Sequence, residues 1–250
     1  VEYREKAARP RSIDRALLGR ELSRFTASAN YMLNCGMGIL GLVIGAAALV
    51  WKGGSLLPML EPVFADRPGA LSVLLCAALC TLVGMNDMAA PSVSLEGKSL
   101  WLAQSLPVTS WQVLRAKLRM HLLLTVVPAA LCGICVAVVS PAGAAQTALA
   151  LVVAALFTVL SALLCLFLGL KMPNLHWTSE ITPIKQGGAV ALALLSGVVY
   201  AALLAAGFFL IGWRIGYMAF MAAFAVVTLA ACVLLLRWLK TKGCTVFANL

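Results

Sequence analysis

The chain has 250 residues, 62% of them hydrophobic and only 11% charged; folded in water it would expose apolar patches too large for its few charges to cover, which excludes an ordinary soluble enzyme. Disorder is excluded by the same hydrophobicity. The net charge of +10 would favour nucleic acid in a soluble protein, but the 19 Lys and Arg cluster at the ends of apolar runs, so membrane topology is expected and nucleic acid is not.

Val1 opens a charged stretch without a basic n-region and short apolar core, so no secretory signal is expected, and the missing initiator Met suggests a fragment or processed chain. Residues 1–29 read as a cytoplasmic segment ending in an interfacial helix, in which Leu18, Leu22, Phe25 and Ala29 recur at helical spacing while Arg20 and Arg24 lie away from them. Residues 30–250 read as a transmembrane domain. Crossing a hydrocarbon core of about 30 Å takes about 20 apolar residues in a helix. Six stretches qualify, at residues 31–51, 70–90, 118–139, 144–170, 189–211 and 215–236. They are too long and too unalternating for barrel strands, so the expected fold is an all-α integral membrane protein of six transmembrane helices.

All but three of the basic residues fall on one side of these spans; Lys52, Arg67 and Arg214 fall on the other. The positive-inside rule then places both termini in the cytoplasm of a multi-pass membrane protein. The outer loops are short except for residues 52–69, with prolines at 58, 62 and 68. Gly41 and Gly45 in span one have the spacing of close helix packing, within the chain or with another half, whereas Gly212 and Gly216 suit a tight turn. Asn86 and Asp87 are polar outliers near the cytoplasmic end of span two, with Lys98 or Arg115 as candidate partners for the acid. The eight cysteines lie mostly in apolar runs and read as small packing residues; the C-x-x-C at Cys132 and Cys135 lacks a thiolate-stabilising setting.

The cytoplasmic loops at 91–117 and 171–188 carry the remaining information. In the first, an amphipathic helix is expected over residues 95–105, stopped by Pro107. Thr109 and Gln112 form a capping box, with Val108 and Val113 as the hydrophobic staple, so a second helix starts at Ser110 and runs into span three, with Pro128 as a kink. Gly97-Lys98-Ser99 imitates the end of a phosphate-binding loop, but Ser92 stands where its first glycine is needed, so this chain is not expected to bind or hydrolyse ATP. In the second loop His176, Trp177 and Glu180 form a polar cluster with too few convergent ligands for a metal or a catalytic site; docking or loop packing suits it better. No catalytic constellation and no cofactor bound by this chain are expected.

The string SLEGKSLWLAQSLPVTSWQVLRAKL, together with RELSRFTASANYMLNCGMGIL and PNLHWTSEITPIKQ, resembles in order the corresponding segments of bacterial ABC type-2 exporter permeases with two six-span halves. It departs from that pattern at Gln104, where a basic residue is expected, and at Phe25-Thr26-Ala27-Ser28, where a longer aromatic and Pro-containing run is common. The resemblance implies a C-terminal six-span half of an exporter permease in the bacterial inner membrane. Its partners would be a second half, in the same polypeptide or a homodimer mate, and a separate ATPase subunit carrying ATP and Mg. It further implies that the loop after span two is a coupling helix formed with Glu96, Gly97, Lys98, Trp101, Leu102 and Leu106, in which Glu96 and Lys98 make polar contacts to the ATPase and Trp101 and Leu102 pack beneath, and that His176, Trp177 and Glu180 are a second contact. An ion-gradient-driven secondary transporter is the alternative, and a membrane enzyme or assembly factor the third reading.

Overall fold

The computed structural model describes residues 12–250, and among them every regular element is helical. The charged residues 1–11 of the predicted cytoplasmic segment lie outside the described residues. Helix α1 spans Ile13–Ala27, with Asp14 in its first turn and Arg24 in its last, charges that complement the helix dipole. Ser28 leaves helical geometry and caps α2, Ala29–Cys35, its Oγ accepting from the Tyr31 N–H at 3.3 Å. After Gly36, α3 (Met37–Ala48) continues through a π turn at Leu49–Gly53 and the helix Gly54–Leu60 into a 3₁₀ turn, Glu61–Phe64. The predicted outer loop over 52–69 is therefore mostly helix. Pro62 stands in the first turn of the 3₁₀ segment, where its missing N–H costs nothing.

The later helices are α4 (Ala70–Gly84), α5 (Leu100–Ser105), α6 (Ser110–Val139), α7 (Ala144–Lys171), α8 (Ile181–Lys185), α9 (Gly188–Gly207), α10 (Tyr217–Trp238) and α11 (Cys244–Ala248). A π turn at Phe208–Gly212 carries α9 on to Ile215, and Gly216, at φ 92°, makes the turn into α10. The capping box at Thr109 is formed in full, the Thr109 N–H donating to Gln112 Oε1 at 2.8 Å and the Gln112 N–H to Thr109 Oγ1 at 3.3 Å. Helix α6 continues past Pro128 to Val139.

Among the described residues five helical stretches are long and apolar enough to cross a membrane: Met37–Phe64, Ser110–Val139, Ala144–Lys171, Ile181–Ile215 and Tyr217–Ala248. The sixth predicted span, 70–90, is met only by α4, whose 15 residues reach about 22 Å, short of a hydrocarbon core. At its end α9 crosses so closely that a Cβ on Gly84 would lie 2.8 Å from the Gly197 Cα. Beyond it Asn86, Asp87 and Pro91 favour turns, and residues 86–97 are buried without a break.

Helix α7 is the central member, packed against α4, α6, α9 and α10. One core, around Phe157, Leu204, Phe208 and Met221, joins α7, α9 and α10; another, around Leu114, Leu163, Leu166 and Leu170, joins α6 and α7. The outward faces are apolar, Trp51 and Val138 each being 80% exposed, a surface suited to lipid rather than water. Helix α1 lies along α6. Its predicted apolar stripe is rotated: Leu17, Glu21 and Phe25 are buried, Leu18 and Leu22 are half-buried, and Ala29 is exposed. The rotation follows from Glu21, which turns inward toward Lys117.

Candidate functional site

The end of the bundle that carries residues 91–117 and 171–188, here the basic end, holds a buried network of charges. Lys117, on α6, is fully buried; its Nζ donates to Glu96 Oε1 at 2.7 Å, to both Glu21 oxygens at 3.1 Å and to the Ser92 carbonyl at 3.0 Å. The second oxygen of Glu96 accepts from Arg20 Nη2 at 2.7 Å and Arg24 Nη2 at 2.9 Å. Burial by itself pushes the Glu96 carboxyl up, but the Lys117 charge and the Arg24 hydrogen bond prevail and hold it at about 2. Burial likewise works against the Arg24 guanidinium, which Glu96 nevertheless holds above its ordinary value. On the rim, the hydrogen bond from Arg115 keeps Asp14 below the usual carboxylate range.

Glu96 is thus not a surface residue. The sequence pattern placed it opposite an ATPase, yet its side chain is wholly enclosed and joins α1, the 86–97 segment and α6. The expected continuous helix over 95–105 is also broken: a 3₁₀ stretch, Ser94–Ser99, contains Gly97 at φ 50° and ψ −133°, and α5 begins after it. Gly97 is buried beneath Trp177, where a Cβ would come within 3.1 Å of the indole. Trp177 Nε1–H donates to the Ser94 carbonyl at 2.6 Å, and the Asn174 N–H to Ser94 Oγ at 3.0 Å. Trp177 therefore ties the two basic-end loops together. Glu180 is exposed and accepts from Ser28 Oγ at 3.2 Å, while His176 is exposed and away from that contact.

Helix α5 is short and two-sided. Leu100 and Ala103 are buried, whereas Lys98, Trp101 (66% exposed), Leu102 and Leu106 face outward, so the residues that pack beneath are Leu100 and Ala103 and not the expected Trp101 and Leu102. Gln104, the departure from the resembled pattern, makes a local tie, its Nε2 donating to the Phe247 carbonyl of α11 at 3.0 Å. Nearby, Lys171 lies over the Trp238 ring and Lys240 over Trp111, at 5.2 and 5.6 Å, pairings suited to a membrane–water boundary.

Of the remaining expected positions, Asn86 and Asp87 are fully buried. Neither candidate partner reaches Asp87: Arg115 is bound to Asp14, and Lys98 is exposed. Gly41 and Gly45 do pack, against the two methyls of Leu82 in α4. Backbone meets backbone elsewhere, at Gly84 and Gly197 between α4 and α9, and at Gly38 of α3, where a Cβ would collide with the Leu82 carbonyl oxygen. The eight cysteines are unlinked. An apolar cavity of about 410 Å³ opens between α4, α6 and α7, lined by Leu79, Val83, Val126, Gly133, Ile134 and Ala154 among others.

Sequence reasoning missed the site roles of Arg20, Glu21, Arg24 and Lys117. The available signals were Lys117 within an otherwise packable helix and Glu21 midway between Leu17 and Phe25 on one helical face.

Neither the curated proteins nor the solved structures compared with the chain gave a match. A family model described as "Membrane protein of 12 TMs" matches residues 57–238, more than half of the chain. With its apolar helices, this makes the chain a multi-pass membrane protein, and it belongs to that family of membrane proteins with 12 transmembrane segments.

Proposed function

We propose that the chain is the membrane-spanning subunit of an ATP-binding-cassette exporter, in which a separate ATPase binds Mg and ATP and drives movement of a substrate through the membrane part. The observation that carries this reading is the outward face of Lys98, Trp101, Leu102 and Leu106 on a short segment anchored through buried Glu96 to Lys117 of α6. Pressure on that face would pass through a rigid charge-and-backbone joint into a membrane helix, as a switch between inward and outward openings requires. Glu96 and Gly97 then hold the segment, and the four outward residues meet the ATPase, with His176 and Glu180 as an exposed second contact.

Both termini are cytoplasmic in this proposal, because the basic side chains gather at the end that carries the lateral segment. Six spans, with α4 as the short one, would form half of the translocation path. The other half would be a second six-span unit, in the same polypeptide or a second copy, consistent with a family described by 12 segments.

The test is affinity purification of the tagged full-length protein in mild detergent, with and without Trp101→Ala plus Leu102→Ala. An ATPase recovered with the parent, lost with the double variant and inhibited by vanadate supports the proposal. If no ATPase accompanies either form under conditions that preserve a known ABC complex, the reading falls and gradient-driven transport takes its place.

A further inference from the structure

The break in the second apolar helix holds a second polar group, distinct from the Glu96 network. After α4 ends at Gly84 the chain stays inside the protein, and its first buried residues are Asn86 and Asp87. Facing this stretch, α6 supplies buried His121, with buried Thr125 one helical turn further on the same side. The Ala89 N–H donates to His121 Nδ1 at 3.2 Å, so the neutral ring carries its proton on Nε2. That Nε2 has no acceptor; Asp87 Oδ1, both amide atoms of Asn86 and Thr125 Oγ1 also lack partners. Buried polar atoms are nearly always paired, and each orphan is left with its desolvation uncompensated. Several within one buried turn and its facing helix therefore mark a place where something polar is accommodated.

The surroundings restrict what that can be. Helix α2 contributes Tyr31, whose hydroxyl donates to the Met88 carbonyl, and Cys35, whose carbonyl accepts from the Asp87 N–H at 3.2 Å. Helix α7 contributes Cys165. Helix α3 contributes Gly38, so close to Asn86 that a Cβ would lie 2.6 Å from its Nδ2. On α6, Lys117 stands one turn before His121 and is committed to Glu21 and Glu96, and Arg119 is paired with Asp14; on α1, Arg24 is likewise bound to Glu96. Among the described residues no ion pair involves Asp87, and no three of His, Cys, Asp and Glu converge as a metal site. The larger cavities described are lined by other residues. A proton with its water is a guest that Asn86, Asp87 and His121 can take without a cavity of that size.

We propose that Asp87, in the turn that His121 holds through the Ala89 N–H, is a proton-binding site enclosed at the end of α4, its proton felt by the His121 ring across that turn. The step is simple: a proton leaves hydronium, an O–H bond forms on the Asp87 carboxylate, the side chain goes from charged to neutral, and no electrons are exchanged with any oxidant. The charged form has no counter-ion in its pocket, so release of the proton requires residues 86–97 to admit water. The far end of that same segment is Glu96, which places proton occupancy in mechanical series with the lateral segment. The inference does not depend on the ATPase reading, because it concerns only groups within this chain.

The test is NMR of the full-length protein labelled with ¹⁵N in histidine rings, titrated from about pH 5 to about pH 8, with the His121 signal identified by its loss in His121→Gln. Expected are the Nε2–H form of His121, a titration in two steps because two coupled groups share the site, and at least a tenfold change in the His121 proton affinity in Asp87→Asn. A single ordinary imidazole step in the unmutated protein overturns the proposal whether or not the variant folds. An unchanged His121 curve in folded Asp87→Asn overturns it as well. Retention of the proton coupling in a protein that binds no ATPase would leave this inference standing while the exporter reading fell.

Discussion

Lys117 Nζ lies 2.7 Å from Glu96 Oε1, with neither side chain reached by solvent, and the same ammonium spans to both oxygens of Glu21. Two buried carboxylates from separate segments thus share one buried cation. Removing that cation leaves both acids enclosed with only the two half-buried arginines to balance them. Lys117→Met keeps most of the side-chain length and is expected to cost about 3–5 kcal/mol, the usual penalty for breaking a buried pair. Thermal unfolding in detergent measures it. Glu96→Gln combined with Lys117→Met should cost less than the two single changes added together, because the second change no longer strands a charge. Additive losses would show that the two groups do not act as one network.

The network also sets an acid limit. Glu96 is held at about 2 in the folded protein, below an ordinary carboxyl of 4.5. A lowered folded value means that its contribution is complete above about pH 4.5 and is lost as pH falls toward about 2. Unfolding midpoints measured at stepwise lower pH should therefore decline through that window, and Glu96→Gln should flatten the decline. An equally steep acid loss in Glu96→Gln would assign it to other carboxyls.

Gly97 joins the network to the outward face of α5. At φ 50° an L side chain is strained, and its Cβ would press on the Trp177 indole. Gly97→Ala is expected to cost about 1–3 kcal/mol and to loosen the lateral segment. Trypsin cleavage after exposed Lys98 provides the local readout and should accelerate in Gly97→Ala. Trp177→Phe removes the bond to the Ser94 carbonyl and should accelerate it too. Cleavage at the parent rate in both variants would show that the indole does not hold the segment.

Much of this fold was legible in the sequence because lipid imposes a simple rule: long apolar runs become helices. The runs at 118–139, 144–170, 189–211 and 215–236 fall within α6, α7, α9 and its continuation, and α10 with its flanking turns, and the Thr109 capping box set the start of α6 to the residue. Composition could not show where a helix stops inside the apolar layer. The run 70–90 looks uninterrupted apart from Asn86 and Asp87, yet α4 ends at Gly84, where it lies against Gly197, more than a hundred residues away. Glu96 was legible as a residue of interest through its loop, but its role was not. Its partners Arg20, Arg24 and Lys117 come from segments that only the tertiary fold brings together. His121 escaped notice for the same reason, since its orphan nitrogen is defined by the Ala89 backbone.

The crossing of α4 and α9 yields a contrast within one residue type. At Gly84 a Cβ would lie 2.8 Å from the Gly197 Cα, and at Gly197 a Cβ would lie 2.9 Å from the Gly84 Cα, so each methyl would meet backbone that cannot rotate aside. At Gly41 the nearest obstacle is the Leu82 Cδ2 at 3.0 Å, the mobile end of a side chain. Gly84→Ala and Gly197→Ala are therefore expected to force the helices apart, with a cost of about 1–3 kcal/mol each as for other overpacked positions. Because both act on one contact, the double variant should cost less than their sum. Gly41→Ala should be nearly neutral, since Leu82 can take another rotamer while alanine favours the helix by about 1 kcal/mol. Size-exclusion profiles and unfolding midpoints of the parent and the variants in the same detergent decide the matter. If Gly41→Ala proves as damaging as Gly84→Ala, the Leu82 side chain is held as rigidly as backbone, and the contrast between yielding and unyielding contacts falls.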